Sequence, residues 1–203
     1  NAAPASAVGV RAADMRVEGR EVRFGGGVLL TRADWELRGR EVELRLGTNS
    51  TLREMVARED VQVEYLARKG ASQTGEGVLS GLLREAGEAA RRWQISAARV
   101  RAGIEPSGAR VTELHAEGGV RVEHAALQAS GERLEYRAEE GSMRLTGDAR
   151  LTTVDGLQIL GEPATALVLD PEEGRFRVEG PVRRMRMPSR SLGEGAKSAP
   201  PSR

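Results

Sequence analysis

Apolar and polar residues alternate strictly along most of this chain, and the alternating runs come in two kinds that take turns from one end to the other. The first kind is a residue pair, a turn position usually held by Gly, and then alternation: Val17-Glu18-Gly19 leading to Val22-Arg23-Phe24, Ala57-Arg58-Glu59-Asp60-Val61-Gln62-Val63, Ala116-Glu117-Gly118-Gly119-Val120-Arg121-Val122, Leu145-Thr146-Gly147-Asp148-Ala149-Arg150-Leu151, and Val178-Glu179-Gly180-Pro181-Val182. The second is a small residue, a charged or small one, and then alternation: Gly39-Arg40-Glu41-Val42-Glu43-Leu44, Ala97-Ala98-Arg99-Val100-Arg101-Ala102, Gly131-Glu132-Arg133-Leu134-Glu135-Tyr136, and Gly161-Glu162-Pro163-Ala164-Thr165-Ala166. Taken by their small or turn residues the order is 19, 39, 59, 97, 118, 131, 147, 161, 180, with no two neighbours of the same kind. Alternation is the period of a half-buried strand, and a small residue before each run allows a bend or bulge. The chain therefore reads as a repeated antiparallel unit, each copy burying its apolar face with its neighbours' help.

Turn signals separate the runs at Gly47-Thr48-Asn49-Ser50, Pro106-Ser107-Gly108, Glu139-Glu140-Gly141, Asp155-Gly156 and Asp170-Pro171-Glu172-Glu173-Gly174. Asp155-Gly156 suits a two-residue hairpin with positive φ at both positions. One interval stretches from about 20 residues to 38, between 59 and 97. Within it Val78, Leu79, Leu82, Leu83, Ala86, Ala89, Ala90 and Trp93 recur at helical spacing, with Arg84/Glu88 and Glu88/Arg92 at i,i+4. This predicts a short amphipathic helix over about 76–93, covering one end of the sheets or serving as a lid or docking element. Residues 1–9 read as a flexible lead and 189–203 as a disordered tail around one β domain spanning 10–188.

Composition narrows the function. Charged residues make up 30% of the 203, but 31 basic and 30 acidic side chains nearly cancel, so no overall field steers the chain to nucleic acid. Cysteine is absent, which removes disulfides and thiolate metal sites and leaves the compartment open. The opening Asn1-Ala2-Ala3-Pro4-Ala5-Ser6-Ala7 has the composition left by a removed export segment. No run approaches the roughly 18–20 apolar residues needed to span a bilayer, so any membrane anchor is expected before residue 1.

Catalytic chemistry finds little support. His115 and His124, the only histidines, lie without a carboxylate cluster, so no metal site or cofactor is expected. His124 continues the face of Leu114, Ala116, Val120 and Val122 and reads as a wall residue, whereas His115 falls on the wet face. Gly25-Gly26-Gly27 lacks the Lys-Ser/Thr of a phosphate loop and reads as a bulge or strand start. Glu41, Glu43, Glu135 and Glu139 alternate with apolar residues, which places them on the solvent side. Arg183, Arg184, Arg186 and Arg190 form the notable basic cluster, either a solvated final strand or a contact for phosphates. What remains is the apolar face: Val42, Leu44, Val61, Val63, Val120, Val122, Leu134, Tyr136, Leu145, Leu151, Phe176 and Val178 share parity within their runs. They form either a closed sandwich core or a groove for hydrocarbon, where ten buried methylenes contribute ~8 kcal/mol.

The runs Gly131-Glu132-Arg133-Leu134-Glu135-Tyr136, Met143-Arg144-Leu145-Thr146-Gly147-Asp148-Ala149-Arg150-Leu151, Leu160-Gly161-Glu162 and Phe176-Arg177-Val178-Glu179-Gly180 resemble the OstA-like (LptA/LptC) lipopolysaccharide-transport domain family. The likeness is good over about 95–185 and looser over 10–66, where Glu59 stands in a Gly position. The resemblance implies an all-β, V-shaped antiparallel jellyroll of two sheets in the periplasm, with an apolar groove that shields lipid A tails. It implies lipopolysaccharide or a related glycolipid as ligand, and head-to-tail joining to other OstA-like domains through edge strands. It implies no enzymatic activity. On this reading the twelve inward residues line the groove and Arg183, Arg184 and Arg186 meet phosphates at its mouth. The 67–93 stretch departs from the family pattern, and the chain fits a soluble LptA-type bridge somewhat better than an anchored LptC-type member. The rival readings are a structural β-repeat scaffold of the envelope with a closed core, and a carbohydrate-acting enzyme for which no acid/base pair can be named.

Overall fold

A computed structural model describes residues 8–32, 35–48, 50–66, 92–105, 110–171 and 175–187. All regular structure among the described residues is β, and every pairing is antiparallel. Four strands are long: β7 (Leu52–Leu66), β8 (Arg92–Ile104), β9 (Val111–His124) and β10 (Leu127–Arg137). Each is interrupted near its middle; the outer two, β7 and β10, change one neighbour there, and β8 and β9 keep both of theirs. One half of each joins β2 (Asp14–Glu18), β3 (Glu21–Gly25), β6 (Glu41–Leu46), β11 (Ser142–Thr146), β14 (Ala166–Asp170) and β15 (Arg175–Glu179) in a first leaf. The other half joins β1 (Gly9–Arg11), β4 (Val28–Thr31), β5 (Trp35–Gly39), β12 (Arg150–Thr153), β13 (Gln158–Gly161) and β16 (Val182–Arg186) in a second. The fold is thus two ten-stranded leaves sharing one crease, a V-shaped β-jellyroll.

The two kinds of run are the two directions in which the chain crosses that crease. Crossings from the first leaf to the second, at Gly26–Gly27, Glu59–Asp60, Gly118–Gly119, Gly147–Asp148 and Gly180, all take positive φ, between 48° and 98°. Glu59 and Asp60 together face only Ala98, and Gly118 and Gly119 face only Glu132. Such an extra residue bends the strand and increases its twist, which redirects it into the other leaf. Return crossings at Gly39, Ala97, Gly131 and Gly161 need no positive φ. They need smallness instead: a Cβ on Gly131 would stand 2.7 Å from the Thr146 carbonyl oxygen. An antiparallel chain must alternate these directions, so the two sequence patterns must alternate too. Gly19 is the exception, a turn between β2 and β3 within the first leaf.

Register turns alternation into continuous apolar rows. Across the first leaf, Met15, Phe24, Val42, Ala57, Val100, Ala116, Leu134, Leu145, Leu167 and Val178 lie side by side, one per strand. The next row is Val17, Val22, Leu44, Met55, Ala102, Leu114, Tyr136, Met143, Leu169 and Phe176. The second leaf carries Val10, Leu30, Leu37, Val63, Ile95, Val122, Ala129, Leu151, Ile159 and Met185. The central members form one hydrophobic core. At the ends the rows run out into solvent: Val10 is 44% exposed, Met15 61%, Val17 62% and Met185 54%.

Several sequence expectations require correction. Arg92 and Trp93 belong to β8 and not to a helix; Trp93 alternates inward with Ile95 and Ala97 and pairs with Tyr65. The remainder of the expected helix lies outside the described residues, as does the 189–203 tail. β1 already begins at Gly9, inside the expected lead. In the turn between β12 and β13 only Gly156 takes positive φ (94°). Its N–H donates to the Thr153 carbonyl at 3.0 Å, and Thr153 N–H donates to Leu157, so the loop has three residues. Glu43 lies on the outer face but is buried, covered by arginines.

Candidate functional site

The interior is not filled everywhere. A cavity of about 200 Å³ lies between the leaves, walled on one side by Met55, Val100, Ala102, Val111, Leu114, Tyr136 and Met143 and on the other by Trp35, Leu37, Val63, Tyr65 and Ile95. Arg32 and Arg110 complete the wall. Side-chain size bears on its position: Ala102 lies on this wall between Met55 and Leu114 in its row. Elsewhere the leaves close, and Val122, Leu134, Leu145 and Leu151 are at most 1% exposed. At ~30 Å³ per water-sized group the cavity holds roughly seven groups of methylene size. Burying that much hydrocarbon contributes ~5–6 kcal/mol, comparable with the lower end of the ~4–15 kcal/mol association cost. A short alkyl segment filling it would therefore be held weakly.

On the second leaf the row beyond Leu37, Val63, Ile95 and Val122 carries aromatic rings on four neighbouring strands. Trp35 pairs with Tyr65, and Tyr65 with Trp93. Trp93 stacks on His124 of the next strand, ring centroids 4.2 Å apart and 24° between planes. His124 is half-buried, and its Nδ1 accepts a hydrogen bond from the Ala126 N–H at 3.2 Å. The imidazole is thus a wall group, while His115 sits on the outer face 3.7 Å from Glu113. Trp35 is 8% exposed, and its indole N–H has no hydrogen-bond partner among the described residues.

Of the twelve residues expected to line a groove, Val63 and Tyr136 are on the cavity wall. Val42, Leu44, Val61, Val120, Val122, Leu134, Leu145 and Leu151 are buried in the same core, and Phe176 and Val178 pack half-buried against it. Arg183, Arg184 and Arg186 are exposed on β16, the last strand of the second leaf. Five strand spacings separate β16 from β8, roughly 24 Å at ~4.8 Å each, so these arginines stand at the edge of the leaf and not at the cavity. Met185 faces inward opposite Ile159, so Arg184 and Arg186 take the outer face, while Arg183 is the extra residue of a bulge between Arg184, which pairs with Leu160, and Val182, which pairs with Gly161.

Residues 10–163 match the model of a family described as LptA/(LptD N-terminal domain) LPS transport protein. The chain belongs to this family. Among solved structures it is similar to LptH, the LptA homologous periplasmic component of the lipopolysaccharide transport device from Pseudomonas aeruginosa, at 13% identity and a TM-score of 0.34, over 97% of this chain and 91% of that one. No curated protein was found to match the chain.

Membership in a lipopolysaccharide-transport family agrees with a site built from apolar walls, and the outer charges organise the strands around it. Glu43 on β6 takes Arg45 at 3.0 Å and Arg58 at 3.4 Å, and Glu54 on β7 takes Arg45 and Arg101. Burial alone would raise the Glu43 carboxyl's pKa, but the charges and hydrogen bonds of Arg45 and Arg58 outweigh it and hold it below its ordinary value. Among the described residues no cluster of His, Asp or Glu could hold a metal ion. Met55, Ala102, Val111, Trp35, Tyr65, Arg32 and Arg110 escaped the sequence reading. Alternation indicates which face a residue takes, but not where two faces fail to meet.

Proposed function

We propose that this member of the lipopolysaccharide-transport family works in the periplasm by sheltering lipid A acyl chains between its two leaves and passing them along a bridge of like domains. The observation that carries the reading is the set of apolar rows continuous from one edge of each leaf to the other, with the cavity between them. An ordinary closed core ends in polar residues at its edges, whereas these rows end in exposed Val10, Met15, Val17 and Met185. Among the described residues the edge strands β1, β2, β15 and β16 each pair on one side alone and so suit strand addition by a neighbouring domain, which would extend the rows. On this reading Arg183, at the bulge of edge strand β16, meets a phosphate as the lipid leaves, and Arg184 and Arg186 lie on the outer face of the same strand. The role is sequestration and transfer, without bond-making.

The test is a benzophenone amino acid replacing Tyr65 or Tyr136, both half-buried aromatic positions on the cavity wall. Illumination in cells should give lipopolysaccharide adducts at both and none at the outward Glu135. Adducts at Glu135 alone, or at no position, would leave a closed scaffold as the better account.

A further inference from the structure

The cavity wall contains a polar group that the core does not use. Trp35 is more than nine-tenths buried on that wall, and its Nε1–H has no partner among the described residues. A buried donor left without an acceptor is costly, and on the wall of an open cavity a ligand can supply the acceptor. The same wall carries two cations, Arg32 and Arg110, and no Asp or Glu among the described residues. The rest is Met, Val, Leu, Ile, Ala and Tyr. Apolar walls and one unused donor together describe an amphiphile with hydrocarbon in the pocket and an acceptor oxygen near the start of its chain.

Resting on the acyl-binding reading above and deepening it, we propose that Trp35 reads the linkage of the ligand. Its Nε1–H donates to the carbonyl oxygen that joins an acyl chain to its head, so the cavity prefers acylated over plain alkyl amphiphiles. Trp93 offers an internal contrast. Its Nε1–H is also without a partner among the described residues, but Trp93 is absent from the cavity wall.

The test uses the full chain and two probes of equal length and charge, 1-tetradecanoyl-glycerol-3-phosphate and its 1-tetradecyl ether, below their micellar concentrations. The intact protein should bind the ester about tenfold more tightly, the size of one neutral hydrogen bond. Trp35→Phe, which keeps an aromatic body and removes the donor, should bind both with the affinity of the ether. A second readout needs no variant: the chain has two tryptophans, hence two indole N–H resonances. The Trp35 signal should move downfield with the ester and much less with the ether, with Trp93 nearly still. Equal binding of the two probes by the intact protein, or an ester preference that survives Trp35→Phe, overturns the linkage-reading role while the acyl site stands. Failure of both probes to bind overturns the acyl site itself.

Discussion

Replacing Ala102 by Leu should make the protein more stable and its lipid binding weaker. Ala102 is 1% exposed, sits between Met55 and Leu114 in its row, and faces the cavity. The three added carbons bury ~2.4 kcal/mol of hydrocarbon at ~0.8 each. In a filled core such an insertion strains its neighbours by ~1–3 kcal/mol, but here about 200 Å³ is open to receive it. The net expectation is a gain of about 1–2 kcal/mol, read from the midpoint of urea unfolding. The same carbons occupy nearly half of the roughly seven methylene-sized places, so a ligand loses ~2.4 kcal/mol of burial, about fifty-fold in Kd. Displacement of a hydrophobic dye by lipid A measures that loss. Ala116→Leu is the control: Ala116 is 2% exposed in the neighbouring row and is not on the cavity wall. It should cost stability without a selective effect on Kd. A stabilised Ala102→Leu with unchanged Kd would show that ligand chains lodge elsewhere, and a destabilised one would show that the space is not there to fill.

Three further outcomes test the crease and the outer face. Gly131→Ala should destabilise by about 2–3 kcal/mol in chemical denaturation, since its Cβ would meet the Thr146 carbonyl oxygen at 2.7 Å and Leu145 Cγ at 2.9 Å. Glu59→Gly should stabilise by about 0.5–1 kcal/mol: Glu59 holds φ at 61°, and relief of that strain exceeds the entropy glycine adds to the unfolded chain. Thermal melting that leaves Glu59→Gly below the parent would refute the strain argument. Glu43, whose pKa is lowered on folding, contributes stability above its unfolded value near 4.5 that is lost as pH falls through the lower folded value. Glu43→Gln should accordingly cost about 1–3 kcal/mol at neutral pH and flatten the acid limb of the stability profile, measured by urea midpoints between pH 7 and pH 3.

Much of this architecture was legible before any coordinates, because the constraints involved are local. Strand alternation depends on residues two apart, and a crossing depends on one or two φ angles or on one missing side chain. Glu59 standing in a glycine position is an example: its place in the repeat implied a bend, and its φ of 61° supplies one. Trp93 shows where local reasoning failed. Its spacing from Ala86, Ala89 and Ala90 fits a helix, and its spacing from Ile95 and Ala97 fits a strand. Tyr65 and His124, distant in sequence but adjacent in the sheet, decide for the strand by pairing and stacking with it. Glu43 failed similarly, since the arginines that cover it include one fifteen residues away.

The amino-acid order alone determined which residues alternate inward, where the chain turns through the crease and, with cysteine absent, that there is no thiolate site. Tertiary structure alone decided where inward-facing surfaces fail to touch. A gap between two leaves is a difference between volumes brought together from Trp35, Val63, Ala102, Leu114 and Tyr136, residues up to about a hundred positions apart. No periodicity along one strand records that difference. The unpartnered indole of Trp35 belongs to the same class, because a missing partner is a property of everything packed around a group and not of the group itself.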